Sequence, residues 1–294
     1  MNFSQWSKFY SEPWLSPRDE RGLLEFDILP NLSGVYRFED KPPEIDAVLL
    51  SHSYTDHSAY ISFLNRQIPI YCGETTRTIL QTFSEITQRG FANDLEGLQF
   101  KTFRTGDKFR IGSVEVEPIH VDHSVPGAYG FILHTTAGAV VYSGDFRIHG
   151  TEAQMTHDFV KVAKLAKPIA MLCEGTNLVG ADFSTEQEVR NKVGKVVSSS
   201  QKLVLATFRN TDVDRTRTLY EVAKENHRKL AISLRQAYML NKLRTDKNLD
   251  LPHVDSSDLL IFRREKKQYY KWEQTMLNYL MLWTSTKSRN IRAK

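Results

Sequence analysis

Leu49-Leu-Ser-His-Ser-Tyr-Thr-Asp-His-Ser58 joins the end of an apolar run to a cluster of histidine, aspartate and hydroxyl residues. The apolar run Ile45–Leu50 has the length of a buried strand and stops at a polar cluster. His52, Asp56 and His57 therefore sit at a strand exit. A turn there lets imidazole and carboxylate groups converge without burying unpaired polar atoms in a sheet. Nitrogen and oxygen donors of this kind suit zinc or another first-row metal. A lone His-x-x-x-Asp-His is not specific by itself.

Working outward, the same grammar recurs. Val116-Glu-Pro-Ile-His-Val-Asp-His123 reads as a strand ending in two histidines, and Ala139-Val-Val-Tyr-Ser-Gly-Asp145 as a strand ending in Gly-Asp. Ala170-Met-Leu-Cys-Glu174 ends in an acid followed by Gly-Thr-Asn177. Four strands thus deliver His, Asp or Glu at their exits. On one sheet edge they would build one polar cluster.

The rest of the chain reads as α/β. Residues 1–40 suggest loop and short helix, broken by Pro13, Pro17 and Pro30. Ile68–Cys72 predicts a strand and Thr75–Gln88 a helix. Residues 98–150 predict antiparallel strands, with Gly130–Thr135 and Gly138–Ser143 as a hairpin. Phe159–Ala166 predicts a helix and Ile169–Cys173 a buried strand, which would make Cys173 a core residue. After a junction at Asp182-Phe-Ser-Thr, helices at Thr185–Ser198 and Asp212–Asn226 alternate with strands at Lys202–Thr207 and Lys229–Ser233. That alternation predicts parallel βαβ packing.

Composition narrows the class. The 294 residues are 40% hydrophobic and 25% charged, ordinary for a globular protein. Two distant cysteines exclude a disulfide framework and a Cys-based zinc motif. No charged and apolar leader opens the sequence and no apolar run is long enough to span a membrane, so a soluble cytoplasmic protein is expected. The net charge of +4 is concentrated at the end: residues 254–294 hold nine Lys or Arg against four Asp or Glu. That excess suits either a solvated helix or a surface for nucleic acid.

In combination these motifs resemble the metallo-β-lactamase superfamily. His52-Ser-Tyr-Thr-Asp-His57 is similar to its H-x-H-x-D-H motif, followed by the later single His and the Gly-Asp. His123-Ser-Val-Pro-Gly-Ala-Tyr-Gly-Phe131, Tyr142-Ser-Gly-Asp-Phe-Arg-Ile-His-Gly150 and Glu174-Gly-Thr-Asn177 resemble its β-CASP, RNase J-like ribonuclease branch. The resemblance covers roughly residues 20–240. It implies an αββα sandwich with a β-CASP-like βαβ unit beside it, up to two zinc ions, and two-metal hydrolysis of RNA. His52 and His123 would ligate one zinc, Asp56 and His57 the other, and Asp145 would bridge both. Asp56, His57 and Glu174 carry the catalytic roles, Glu174 by orienting a ligand. Ser124, Arg147 and Asn177 are candidate substrate contacts, joined by Arg263, Arg264 and Lys267 of the basic tail. The expected domains are residues 1–181 (metallo-β-lactamase, lacking its first hairpin), 182–262 (partial β-CASP-like) and 263–294 (basic tail).

Departures from the family pattern qualify the activity. Tyr54 stands where the family has a histidine, and a phenol with an ordinary pKa of about 10 is a poor zinc ligand. Asp214 stands at another histidine position. The family's late histidines have no counterpart after His227 except His253, whose setting does not match. A divergent or truncated member with an impaired second metal site is expected. Two alternatives remain open: a catalytically weak or dead module that binds RNA or a partner, and a hydrolase of a small lactam, lactone or thioester. RNA is the expected partner, a membrane is not, and a homodimer is left open.

Overall fold

The computed structural model describes residues 19–87, 90, 93–176 and 184–284, without the side chains of 282–284. The chain divides into two compact units. One takes the described residues of Met1–His120, Gly127–Asp145 and Phe159–Glu174, the other those of Val121–Pro126, Phe146–Asp158 and Gly175–Lys294. The second unit thus draws on two segments from inside the expected 1–181 domain. The expected junction falls partly on 182–183, outside the described residues.

The first unit begins with helix α1 (Glu20–Glu25), started by the Asp19 side chain, which accepts from the Gly22 amide. Strand β1 (Val48–Leu50) then pairs in parallel with β2 (Pro69–Gly73), which pairs in parallel with β3 (Gln99–Phe103). The short helix α2 (Thr55–Ser58) follows β1, and α3 (Glu74–Ile86) follows β2. Parallel neighbours need a crossover, and α3 supplies it between β2 and β3. Apolar residues recur on α3 at helical spacing, so Ile79, Leu80 and Ile86 are all buried. The expected membership of β3 in the antiparallel set is corrected here. It follows a helix, not a turn, and so returns parallel to β2.

The second sheet runs β4 (Phe109–Ile111), β5 (Val114–His120), β6 (Tyr129–Thr135), β7 (Gly138–Tyr142) and β8 (Ala170–Leu172). It is antiparallel through β7, then parallel at β8. Helix α4 (Ala153–Leu165) precedes β8 and starts six residues earlier than the apolar spacing suggests. The sheets face each other through aromatic rings. Phe103 of β3 meets Tyr129 and Phe131 of β6 edge-on, with ring centroids 4.9 and 5.7 Å apart. Cys173 is exposed, against expectation. Among the described residues β8 has β7 as its one neighbour, and Ala170, Met171 and Leu172, which read as a buried run, are all exposed.

In the second unit, α5 (Glu186–Ser199) and α7 (Leu234–Leu243) each open with a capping box, Thr185 with Glu188 and Ser233 with Gln236. Helix α6 (Val213–Glu225) is capped by Asp212. Strands β9 (Leu230–Ser233) and β10 (Leu259–Phe262) pair in parallel across α7, a βαβ unit. Helix α8 (Lys271–Thr284) buries Trp272, Met276 and Leu277, with Trp272 5.5 Å from Tyr238. The strand expected at Lys202–Thr207 does not form. Leu203 and Leu205 are 79% and 85% exposed, and the ladder that would order them is absent. Arg147 ties three segments of this unit. Its Nε donates to Asp122 Oδ1 at 3.0 Å, its Nη2 donates to Asp214 Oδ2, and Thr151 donates to Asp214 at 2.7 Å.

Gly130 of β6 leaves room for the fully buried ring of Phe159, since a Cβ there would lie 2.4 Å from it. Gly130→Ala is expected to destabilise the protein by about 1–3 kcal/mol, the usual cost of overpacking. Adding Phe159→Leu should recover part of that loss. Urea denaturation of the single and double variants measures both effects, and strict additivity would show that the two sites do not touch.

Candidate metal centre

The site grows from the ends of β1 and β7 in the first unit. β1 stops at Leu50, and the Ser51 carbonyl accepts from the Tyr129 amide at 3.0 Å. This anchors the next residue, His52, which is wholly buried. Tyr54 takes an extended conformation as the N-cap of α2, and the His57 amide donates back to its carbonyl at 2.9 Å. That single turn returns His57 towards His52, so that their ring centroids are 4.2 Å apart. Beyond β7, Gly144 has φ +58°. A Cβ there would meet the Tyr129 carbonyl oxygen at 2.7 Å and Ser51 Cβ at 3.1 Å. Only glycine allows this approach, and Asp145 follows it directly.

His52, His57 and Asp145 each offer a ligand atom, and these atoms lie within 4.8 Å of one another. Asp145 Oδ2 is 3.3 Å from His57 Nε2 and 3.9 Å from His52 Nε2. Two donors on a tetrahedral ion with bonds of ~2.0–2.1 Å stand ~3.3–3.4 Å apart, so the three residues fit one divalent ion. Two imidazoles and a carboxylate are also the donor types such an ion takes. Asp56 Oδ2 lies 3.7 Å from His57 Nε2, on a side chain 52% exposed. Tyr54 presents its ring edge-on to His52, at 5.3 Å between centroids.

The carboxylates set the charge state of His57. Its hydrogen bond to Asp145 raises the imidazole pKa above the ordinary 6.5; burial opposes this, and the charges of Asp145, Asp56 and Glu174 add to the rise. Glu174 is held by its backbone, whose amide donates to Ser143 Oγ at 3.1 Å. His120 is engaged elsewhere, with Nδ1 2.7 Å from Thr105 Oγ1 and its ring 4.1 Å from Tyr129.

The remaining expected residues are spread more widely. His123 and Ser124 belong to the second unit. So does Arg147, whose guanidinium is occupied by Asp122 and Asp214 and is mostly buried. Asn177 lies outside the described residues. Arg263 donates from Nε and Nη2 to the Tyr269 hydroxyl at 3.2 and 3.0 Å, while Arg264 and Lys267 are exposed. The motif reading missed Ser51 and Tyr142. Ser51 Oγ lies 3.1 Å from His52 Nδ1, and Tyr142 hydrogen-bonds Ser51. Their positions in the sequence, one residue before His52 and three before Asp145, are the signal that could have found them.

In the metal-free protein His57 is expected to titrate above 6.5. Asp145→Asn removes the largest cause of the rise and leaves burial opposed by the charges of Asp56 and Glu174, so the pKa should fall. NMR titration of the imidazoles in both proteins checks this. An unchanged His57 pKa in the variant would mean that Asp145 does not reach it.

A family model described as the β-lactamase superfamily domain matches residues 27–166. Ribonuclease J of Sinorhizobium meliloti is 24% identical over 195 residues, covering 64% of this chain and 34% of that protein. Ribonuclease J of Mycoplasma pneumoniae is 25% identical over 249 residues, covering 82% of this chain and 42% of that protein. The chain therefore spans between a third and a half of the length of these two relatives. A crystal structure of a protein of unknown function from Enterococcus faecalis V583 matches with a TM-score of 0.67 at 18% identity, over 92% of this chain and 65% of that one. That likeness concerns the fold. Residues 27–166 match the β-lactamase superfamily domain, on a chain similar to proteins named Ribonuclease J.

Proposed function

We propose that the chain is a metal-dependent hydrolase of RNA phosphodiester bonds, with zinc held by His52, His57 and Asp145. The observation that carries this reading is the convergence of those three donor groups at the exits of β1 and β7. Three protein ligands with a fourth position left for water or substrate is the usual pattern of a catalytic zinc site. The bound ion would lower the pKa of a water and neutralise charge on the phosphate. The chain's own residues have separate tasks. Asp145 raises the pKa of His57 while the site is metal-free, so zinc would compete with a proton there. Asp56 is the exposed carboxylate next to His57. RNA as substrate rests on the relatives named Ribonuclease J.

On this reading Tyr54 leaves the site one imidazole short, so zinc is held weakly. A second ion would draw on Asp56. The chain acts on RNA in the cytoplasm, as a monomer or a homodimer; among the described residues no helix is long and apolar enough to cross a membrane. Arg264 and Lys267 are exposed cations available to phosphates. Trp272 is buried against Tyr238, so Tyr270 is the exposed ring left for base stacking in this stretch. A second reading, a weak or inactive RNA-binding module, is favoured by Tyr54, whose ring lies against His52 where the family motif has a third imidazole.

Asp145→Ala is expected to lower bound zinc more than His120→Ala, since His120 is engaged by Thr105 and Tyr129. Elemental analysis of the two variants decides, and equal losses would remove Asp145 from the site. Tyr54→His should tighten one zinc and raise cleavage of a labelled single-stranded RNA. Should native protein and variant both bind zinc yet leave the RNA intact, the inactive-module reading holds.

A further inference from the structure

We infer that the hydroxyl pair Ser51–Tyr142 is the positioning device of this centre, fixing the tautomer of His52 and the spacing between the β1 and β7 exits. The inference rests on the reading of His52 and Asp145 as ligands.

His52 has two ring nitrogens with different surroundings. Nε2 is the one near Asp145, at 3.9 Å, and Nδ1 is 3.1 Å from Ser51 Oγ. A neutral imidazole carries its proton on one nitrogen and offers a lone pair on the other. With Ser51 Oγ accepting from Nδ1–H, the lone pair is on Nε2, on the side of Asp145. The same hydroxyl has one proton of its own, and Tyr142 is its second partner. The order of donation is then His52 Nδ1 to Ser51 Oγ to Tyr142 Oη. Ser51 and His52 are both buried, so bulk water is a poor substitute for either partner.

The same bond is also a spacer. Ser51 follows β1 and Tyr142 ends β7, and these strands lie in different sheets. Ser51 is one residue from His52 and Tyr142 is three from Asp145. Gly144 keeps the gap narrow, because any side chain there would press on Ser51. The pair therefore sets both the direction of one ligand and its distance from another. Partners of this kind change metal affinity by about 10–100-fold when removed.

The test uses full-length protein with ¹⁵N-labelled histidine. In the metal-free native chain, ¹⁵N shifts should show His52 protonated at Nδ1, and Ser51→Ala should move the proton towards Nε2. Zinc affinity, measured by competition with a chelator, should fall about 10–100-fold in Ser51→Ala. Tyr142→Phe keeps the ring and loses one hydrogen bond, so its zinc affinity should fall at least about threefold. Circular dichroism reports whether each variant is folded. If Ser51→Ala does not fold, Tyr142→Phe carries the test. Native His52 protonated at Nε2 overturns the inference, as does undiminished zinc affinity in the folded variants. A native chain that binds no zinc overturns the metal reading, while the tautomer measurement still decides the orienting role of Ser51.

Discussion

The ends of two sheets come close where Gly144 passes Ser51 and the Tyr129 carbonyl, and the site of the first unit depends on that approach. A side chain at 144 would force β7 away from β1. The Phe103, Tyr129 and Phe131 rings between the sheets would then lose their edge-on contacts. The constraint is steric and local, yet it decides whether His52 and Asp145 can face one ion. Apolar burial holds the layers together, and the missing Cβ lets their edges converge.

Electrostatics follows from this packing. His52 is wholly buried, with a hydroxyl on one nitrogen. His57 sits nearer the surface, among Asp145, Asp56 and Glu174, and gains basicity from them. Two histidines five residues apart thus have different surroundings.

Much of this was legible in the sequence, for identifiable reasons. Short apolar runs closing in His, Asp or Glu announce strand exits, and the helix start at Thr185 is placed within one residue, whereas the helix after Ser233 was not read. What failed was information that needs a neighbour. β3 read as antiparallel because its own residues do not say which strand it meets. Lys202–Thr207 has strand composition but no ladder, and Cys173 lies on an edge that hydropathy cannot distinguish from the interior. Arg147 looked like a phosphate ligand, and only its position between Asp122 and Asp214 shows what it binds here. Ser51 escaped notice because serine is common, and its importance comes from an atom 3.1 Å away.

The Arg147 tie also bears on how the chain can be made and divided. Asp122, Arg147 and Asp214 span more than ninety residues, and the first two come from inside the stretch that sequence motifs assign to one domain. A ribosome releases Asp122 and Arg147 long before Asp214, so this charge cluster is completed only late in synthesis. Until then the pair waits without its second carboxylate. A clone beginning at residue 182 would carry Asp214 with Arg217, 3.4 Å away, as its remaining cation and would lack both Arg147 and Thr151. The second unit is modular in space without being modular in the gene.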